Sequence, residues 1–173
     1  MIDQTRGDAS IEKGAANAQT FQQMLAAARA EHPTAHIVIK THPETQLGYR
    51  AGHFSAEALD DDMELLTHAI APQDLFAAAH AVYTATSQMG FEAIWAGHRP
   101  VVFGQPFYAG WGLTRDVHPI HRRGRSLTAA QLFAGAMILY PKWYDPCRDT
   151  LCSLEHVLDQ LEAETRAWRD DHA

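Results

Sequence analysis

Ala81-Val82-Tyr83-Thr84-Ala85-Thr86-Ser87-Gln88-Met89-Gly90-Phe91-Glu92 is the stretch on which the fold reading turns. Ala81–Thr84 has strand character and Ala85-Thr86-Ser87 makes a turn. Gln88–Ala96 is helical and ends at Gly97, a residue suited to the left-handed stop of a helix. A strand that passes directly into a helix is the building unit of a parallel α/β sheet.

Outward from this unit the alternation repeats. Between Asn17 and about Glu31, Phe21, Met24, Leu25 and Ala28 recur at helical spacing, and His32-Pro33 ends the run because proline cannot continue it. His36–Lys40 is a short β-branched run, read as a buried parallel strand that stops at Thr41-His42-Pro43. A polar loop spans Glu44–Phe54, a weaker strand lies around Met63–Thr67, and Pro72 opens a further helix. Pro100–Phe103 is the next strand. Gly104–Arg125, rich in glycine and aromatics, fits no period and is longer than ordinary connections, which marks a functional loop. Thr128-Ala129-Ala130-Gln131 is a capping box for a helix reaching Tyr140, and Ser153 caps a final amphipathic helix bearing Leu154, Val157, Leu158 and Leu161. With Met1–Gln4 as the tail of a strand, five short strands and their helices predict a doubly wound parallel sheet of Rossmann type.

The 173 residues are read as one domain, 1–173. The apolar content of 46% and charged content of 20% are those of a globular protein. The longest apolar stretch, Leu132–Tyr140, is about half a bilayer span, and Met1-Ile2 runs directly into Asp3, Gln4 and Arg6. A cytoplasmic location is expected. A formal charge of −7, with the only basic run at His121-Arg122-Arg123-Gly124-Arg125, argues against nucleic acid as a partner. Cys147 and Cys152 fit neither a redox nor a zinc spacing. No metal and no cofactor are expected.

Ligands of open parallel sheets bind beyond the carboxyl ends of the strands. The residues there are Asp3, Gln4 and Asp8, then Lys40, Thr41, His42 and Pro43, then Thr84, Thr86, Ser87 and Gln88, and last Gly104, Gln105 and Tyr108. His42 with Lys40 either meets a nucleotide phosphate or serves its own loop. Ser87 either supplies a hydroxyl to a phosphate at the helix start or caps that helix. Glu92, one turn beyond Gln88, is placed to reach ribose hydroxyls or to sit solvated. Phe107–Gly112 mixes aromatic faces with glycines, suited to a wall around a sugar or base or to a loop that covers the core; Gln105, Tyr108 and Trp111 are its candidate contacts with sugar or acceptor.

Four strings, in this order and spacing, resemble the capsular polysaccharide biosynthesis and export proteins of the KpsC type. They are Asp3-Gln-Thr-Arg-Gly-Asp8-Ala-Ser10, Lys40-Thr-His-Pro43, Tyr83–Glu92 and Phe103-Gly-Gln-Pro-Phe-Tyr-Ala-Gly-Trp-Gly-Leu-Thr114. The resemblance runs from about Asp3 to Leu161. It implies a membrane-associated cytoplasmic enzyme, peripheral at the inner membrane, with retaining β-Kdo transferase modules of GT-B type, of which this chain is the donor-binding half. The implied donor is CMP-β-Kdo, the product a poly-Kdo linker on a lipid-linked acceptor, and the surroundings the capsule export machinery. By the same resemblance Lys40, His42 and Pro43 match a His-Pro nucleotide motif, Thr86, Ser87, Gln88 and Glu92 match the donor-binding segment, and Asp3 matches an aspartate that acts as covalent nucleophile. An acid/base carboxylate would come from the partner domain of the GT-B pair, and the chain is expected to be a fragment that lacks it. Two other readings stay open: a non-catalytic remnant or interaction domain, and another GT-B enzyme such as a sugar-nucleotide epimerase.

Overall fold

Met1–Asp3 is hydrogen-bonded on both sides, which puts it at the centre of the sheet. In the computed structural model, which describes residues 1–172, Lys40 N–H donates to Met1 O and Asp3 N–H to Lys40 O, both at 2.9 Å, while Ile2 N–H donates to Tyr83 O at 2.9 Å on the other side. These residues join two parallel ladders. On one side lie β1 (Ile37–Lys40) and β2 (Met63–Leu66), paired from Ile37 with Met63 to Lys40 with Leu66. On the other lie β3 (Tyr83–Thr84), β4 (Val101–Val102) and β5 (Arg115–Asp116). The order across the sheet is β2, β1, Met1–Asp3, β3, β4, β5. With the first segment counted as a strand this is the 3-2-1-4-5-6 order of the Rossmann fold, and the order reverses between Asp3 and Thr84.

The expected doubly wound parallel sheet is therefore present, with one strand more than the sequence reading. β5 had been placed inside an irregular loop. Arg115 and Asp116 form a two-residue edge strand without β-branched side chains, and their pairing is set by Arg115 N–H to Pro100 O and Val117 N–H to Val102 O, each at 2.9 Å. Such a strand leaves no periodic trace in a sequence.

The chain divides into two compact units, Met1–Leu127 and Thr128–Ala173. Among the described residues the first carries five α-helices: α1 (Ala9–Lys13), α2 (Ala18–Glu31), α3 (Pro43–Gln46), α4 (Pro72–Ala78) and α5 (Met89–Trp95). Asn17 and Thr20 form a reciprocal capping box at the start of α2, which buries Phe21, Met24 and Ala28 against Ile37, Ile39, Tyr83, Val101 and Phe103 of the sheet. Full burial of side chains such as Phe21 and Met24 stabilises the unit by roughly 2 kcal/mol each.

In the second unit Thr128 and Gln131 form the anticipated capping box for α6 (Ala129–Phe133). The helix does not continue as an α-helix to Tyr140; Ala134–Leu139 winds as a π-helix. An antiparallel hairpin of β6 (Trp143–Asp145) and β7 (Thr150–Cys152) follows, which the sequence reading lacked. It precedes α7 (Leu154–Asp171), capped by Ser153 as expected. The side chain of Asp145 is fully buried and accepts from the N–H groups of Cys147 (2.9 Å) and Arg148 (3.1 Å), with a ring nitrogen of His156 on α7 at 2.8 Å. Hydrogen bonds, that from Gln160 foremost, hold its carboxyl well below the usual carboxylate range. No helix among the described residues is long and apolar enough to cross a membrane.

Candidate functional site

A cavity of about 970 Å³ opens beyond the carboxyl ends of the strands, where the strand order reverses. Its wall includes Asp3 at the end of the central segment with Gln4 and Asp8 beyond it, Lys40 at the end of β1 with His42 and Pro43 beyond it, Thr86, Ser87 and Gln88 between β3 and α5, and Glu92 on α5. These ten sequence-derived candidates are thus brought to one place.

The backbone at the reversal is fixed by a buried amide. Gln4 is 4% exposed; its Oε1 accepts from Thr86 N–H at 3.0 Å, and its Nε2 donates to Thr86 Oγ1 at 3.0 Å and to Ser10 Oγ at 3.3 Å. Thr86 sits so deep because two glycines face it: a Cβ on Gly14 would come within 2.3 Å of Thr86 Cγ2, and one on Gly104 within 2.6 Å. The Thr86 hydroxyl and N–H are therefore committed to Gln4, and Thr86 shapes the wall without presenting a free donor.

Asp3 is 3% exposed. Its Oδ1 accepts from Gln4 N–H at 2.8 Å, and the carboxylate also takes His53 N–H at 3.1 Å and Phe54 N–H at 3.4 Å. A Cβ on Gly52 would meet Asp3 Oδ2 at 2.3 Å, so glycine is required for this approach. Burial pushes the Asp3 carboxyl up, and the three backbone donors oppose the shift. Asp8 differs. It caps α1, with Oδ1 accepting Ser10 N–H at 2.8 Å, and it borders the cavity only half-buried.

Lys40 Nζ lies 3.1 Å from Thr41 O, and burial lowers its pKa from the ordinary lysine value. His42 caps α3: its Nδ1 accepts from Glu44 N–H at 3.2 Å, with Pro43 at the first turn. With Nδ1 as acceptor, the ring proton is on Nε2. His42 serves its own loop with one nitrogen and keeps the other as a donor, so the two sequence readings are not exclusive. Ser87 likewise serves its own turn and lines the cavity: its Oγ accepts from Met89 N–H at 3.3 Å, just before α5, whose cap position is Gln88. Burial pushes the Glu92 carboxyl above its ordinary value.

The proposed wall of Gln105, Tyr108 and Trp111 is not part of this cavity. Tyr108 is fully buried, its hydroxyl donating to Ser87 O at 2.6 Å under α5, where Gly90 makes room for it. Gln105 spends its backbone N–H on Gly14 O at 2.6 Å, and Trp111 Nε1 turns back to Phe107 O at 2.7 Å. The aromatic ring that does reach the cavity is Phe107, 39% exposed. Loop sequences disclose composition, but which ring turns outward depends on backbone contacts they do not reveal. Gln4 and Asp8, named among the strand-end residues, do line the cavity, whereas Ser10 was missed, though an acid followed two residues later by serine is a legible helix-cap pattern.

A family model described as Capsule polysaccharide biosynthesis protein matches residues 1–142. Capsule polysaccharide modification protein LipA of Neisseria meningitidis serogroup B is 40% identical over 172 residues, covering 96% of this chain and 24% of LipA. Lipopolysaccharide-processing protein LpsZ of Rhizobium meliloti is 33% identical, covering 95% of this chain and 37% of LpsZ. Among solved structures, the β-Kdo 2,4 transferase of Thermosulfurimonas dismutans KpsC aligns with a TM-score of 0.85 at 40% identity, covering 92% of this chain and 50% of that one. The β-Kdo 2,7 transferase of the same protein aligns at 0.75 and 31% identity, with 95% and 53% covered. The chain spans less than two-fifths of these curated relatives and about half of each solved transferase. All the cavity residues named above fall inside the family match, and the chain belongs to the capsule polysaccharide biosynthesis protein family, related to the KpsC Kdo transferases.

Proposed function

We propose that the Met1–Leu127 unit is the donor site of a retaining β-Kdo transferase in capsule polysaccharide biosynthesis, with CMP-β-Kdo as donor. The observation that carries this reading is that Asp8, Lys40, His42 and the Ser87–Glu92 segment share one cavity at the strand-order reversal of a KpsC-like fold.

The chemistry asks for three things. A departing cytidine monophosphate needs its growing negative charge met, and Lys40 Nζ with His42 Nε2–H supplies fixed donors in a partly water-excluded site. The ribose needs acceptors for its hydroxyls, a role open to Glu92 beside Ser87 and Gln88. Retention of configuration needs two displacements: a carboxylate oxygen attacks the anomeric carbon as the bond to phosphate breaks, and an acceptor hydroxyl then displaces that carboxylate. Asp3 has its carboxylate oxygens occupied by backbone N–H groups and fits an anchoring role that orients the 52–54 loop. Asp8 keeps Oδ2 outside its helix cap, and we assign the nucleophile to it. The acid/base group and the surface for a lipid-linked acceptor belong, on this reading, to a partner domain.

Calorimetric titration of the chain with CMP and with UMP tests the assignment. Saturable binding of CMP, weaker for UMP, is expected. Equal affinity for uridine ligands would favour an epimerase-like relative, and a folded chain that binds neither would favour an interaction domain.

A further inference from the structure

Phe107 is held in place from both its backbone and its ring. The guanidinium of Arg123 donates to the carbonyls of Pro106 (2.5 Å), Ala109 (2.6 Å) and Phe107 itself (3.4 Å), and lies 5.4 Å from the ring centre of Trp111. Trp111 Nε1 donates to the same Phe107 carbonyl. The ring of Phe107 packs against Phe91 of α5 at 5.2 Å and edge-on against Tyr108 at 5.3 Å. Burial, and the charge of Arg122 beside it, lower the Arg123 pKa from its ordinary value. Despite these contacts Phe107 borders the cavity, and the residue stays 39% exposed.

Phe107 is the one Phe, Tyr or Trp ring among the described residues of the cavity wall. It follows β4, whereas Lys40 ends β1 and His42 follows it, three strand steps away, or roughly 14 Å. The carboxylates Asp8 and Glu92 belong to elements between these ends. A ligand matched to this layout carries its negative charge at one end and a flat, weakly polar face at the other. A hydroxyl-rich acidic sugar has its charge met at the cationic end, whereas a nucleobase offers the ring a full π-face, and base–aromatic stacking accepts any base.

Resting on the donor-site reading above, we propose that Phe107 is the stacking platform for the pyrimidine ring of the donor nucleotide and that Arg123 is a positioning residue that sets the platform. The test compares CMP with ribose 5-phosphate, which has the same charge and sugar but no base. Phe107→Ala and Phe107→Leu should each weaken CMP binding about tenfold and leave ribose 5-phosphate unchanged, with Phe107→Tyr near wild type. Leucine preserves packing on Phe91, so its loss of affinity would not be a folding effect. Arg123→Met should weaken CMP alone, and combined with Phe107→Ala it should weaken CMP no further than Phe107→Ala does. Wild-type affinity for CMP in Phe107→Leu, or equal loss of both ligands, would overturn the stacking role while the donor site stands. Absence of CMP binding by the wild-type chain would overturn both.

Discussion

Gln4 and Thr86 clasp one another across the reversal of strand order, Thr86 N–H meeting Gln4 Oε1 and Gln4 Nε2 meeting Thr86 Oγ1, each at 3.0 Å. Both residues are buried, so the clasp is only sparingly reached by water. Gln4→Ala should destabilise the first unit by about 2 kcal/mol, the cost of stranding a buried donor and acceptor. Gln4→Glu keeps the acceptor for Thr86 N–H but loses the amide donor, and should fall lower than wild type at neutral pH as well. Urea unfolding followed by tryptophan fluorescence measures both; wild-type midpoints for the pair would show the clasp to be energetically idle.

His42 is expected to separate capping from binding. His42→Asn retains a side-chain acceptor for Glu44 N–H and removes the outward Nε2–H. Its thermal midpoint should stay within about 2 °C of wild type, since a conserved cap leaves ΔΔG within a few tenths of a kcal/mol. Its affinity for CMP should drop several-fold. His42→Ala should show the same loss of affinity together with a small loss of stability, and unchanged CMP affinity in both would confine the imidazole to its own turn.

Asp145 gives the second unit a pH dependence of predictable sign. Its folded pKa lies below the unfolded value, because Gln160, His156 and two backbone N–H groups favour the carboxylate. The stabilisation is complete above the unfolded value of about 3.8 and is lost as pH falls through the lower folded value. Amide exchange of α7 should therefore accelerate in strongly acidic solution in the wild type. Asp145→Asn should exchange faster than wild type at pH 7, with the gap closing in acid; a gap constant with pH would exclude titration of Asp145 as its source.

How far the sequence disclosed all this depended on the kind of signal. Phe21, Met24 and Ala28 announce α2 by their spacing, and Asn17, Thr128 and Ser153 mark helix starts through local hydrogen bonds, so these elements were legible. The strand-end rule brought Asp3, Lys40, His42 and Ser87 to one cavity, because topology alone brings strand ends together, but it also named Gly104, Gln105 and Tyr108, which do not line it. What escaped was non-local or brief. The edge strand β5 pairs through backbone only, and the hairpin of β6 and β7 is three residues a side. Tyr108 and Phe107 are adjacent aromatics with opposite fates, decided by the space that Gly90 leaves beneath α5 and by the reach of Arg123. Neither cause is visible from residue types in order.

The central position of Met1–Asp3 also governs how the sheet can assemble. One side of this segment waits for Lys40 and the other for Tyr83, so no local hairpin can nucleate it, and its completion depends on closing two long loops. During synthesis the segment would stay half-paired until β3 had cleared the ribosome, a window in which an unsatisfied strand edge is open to chaperones or to a wrong partner.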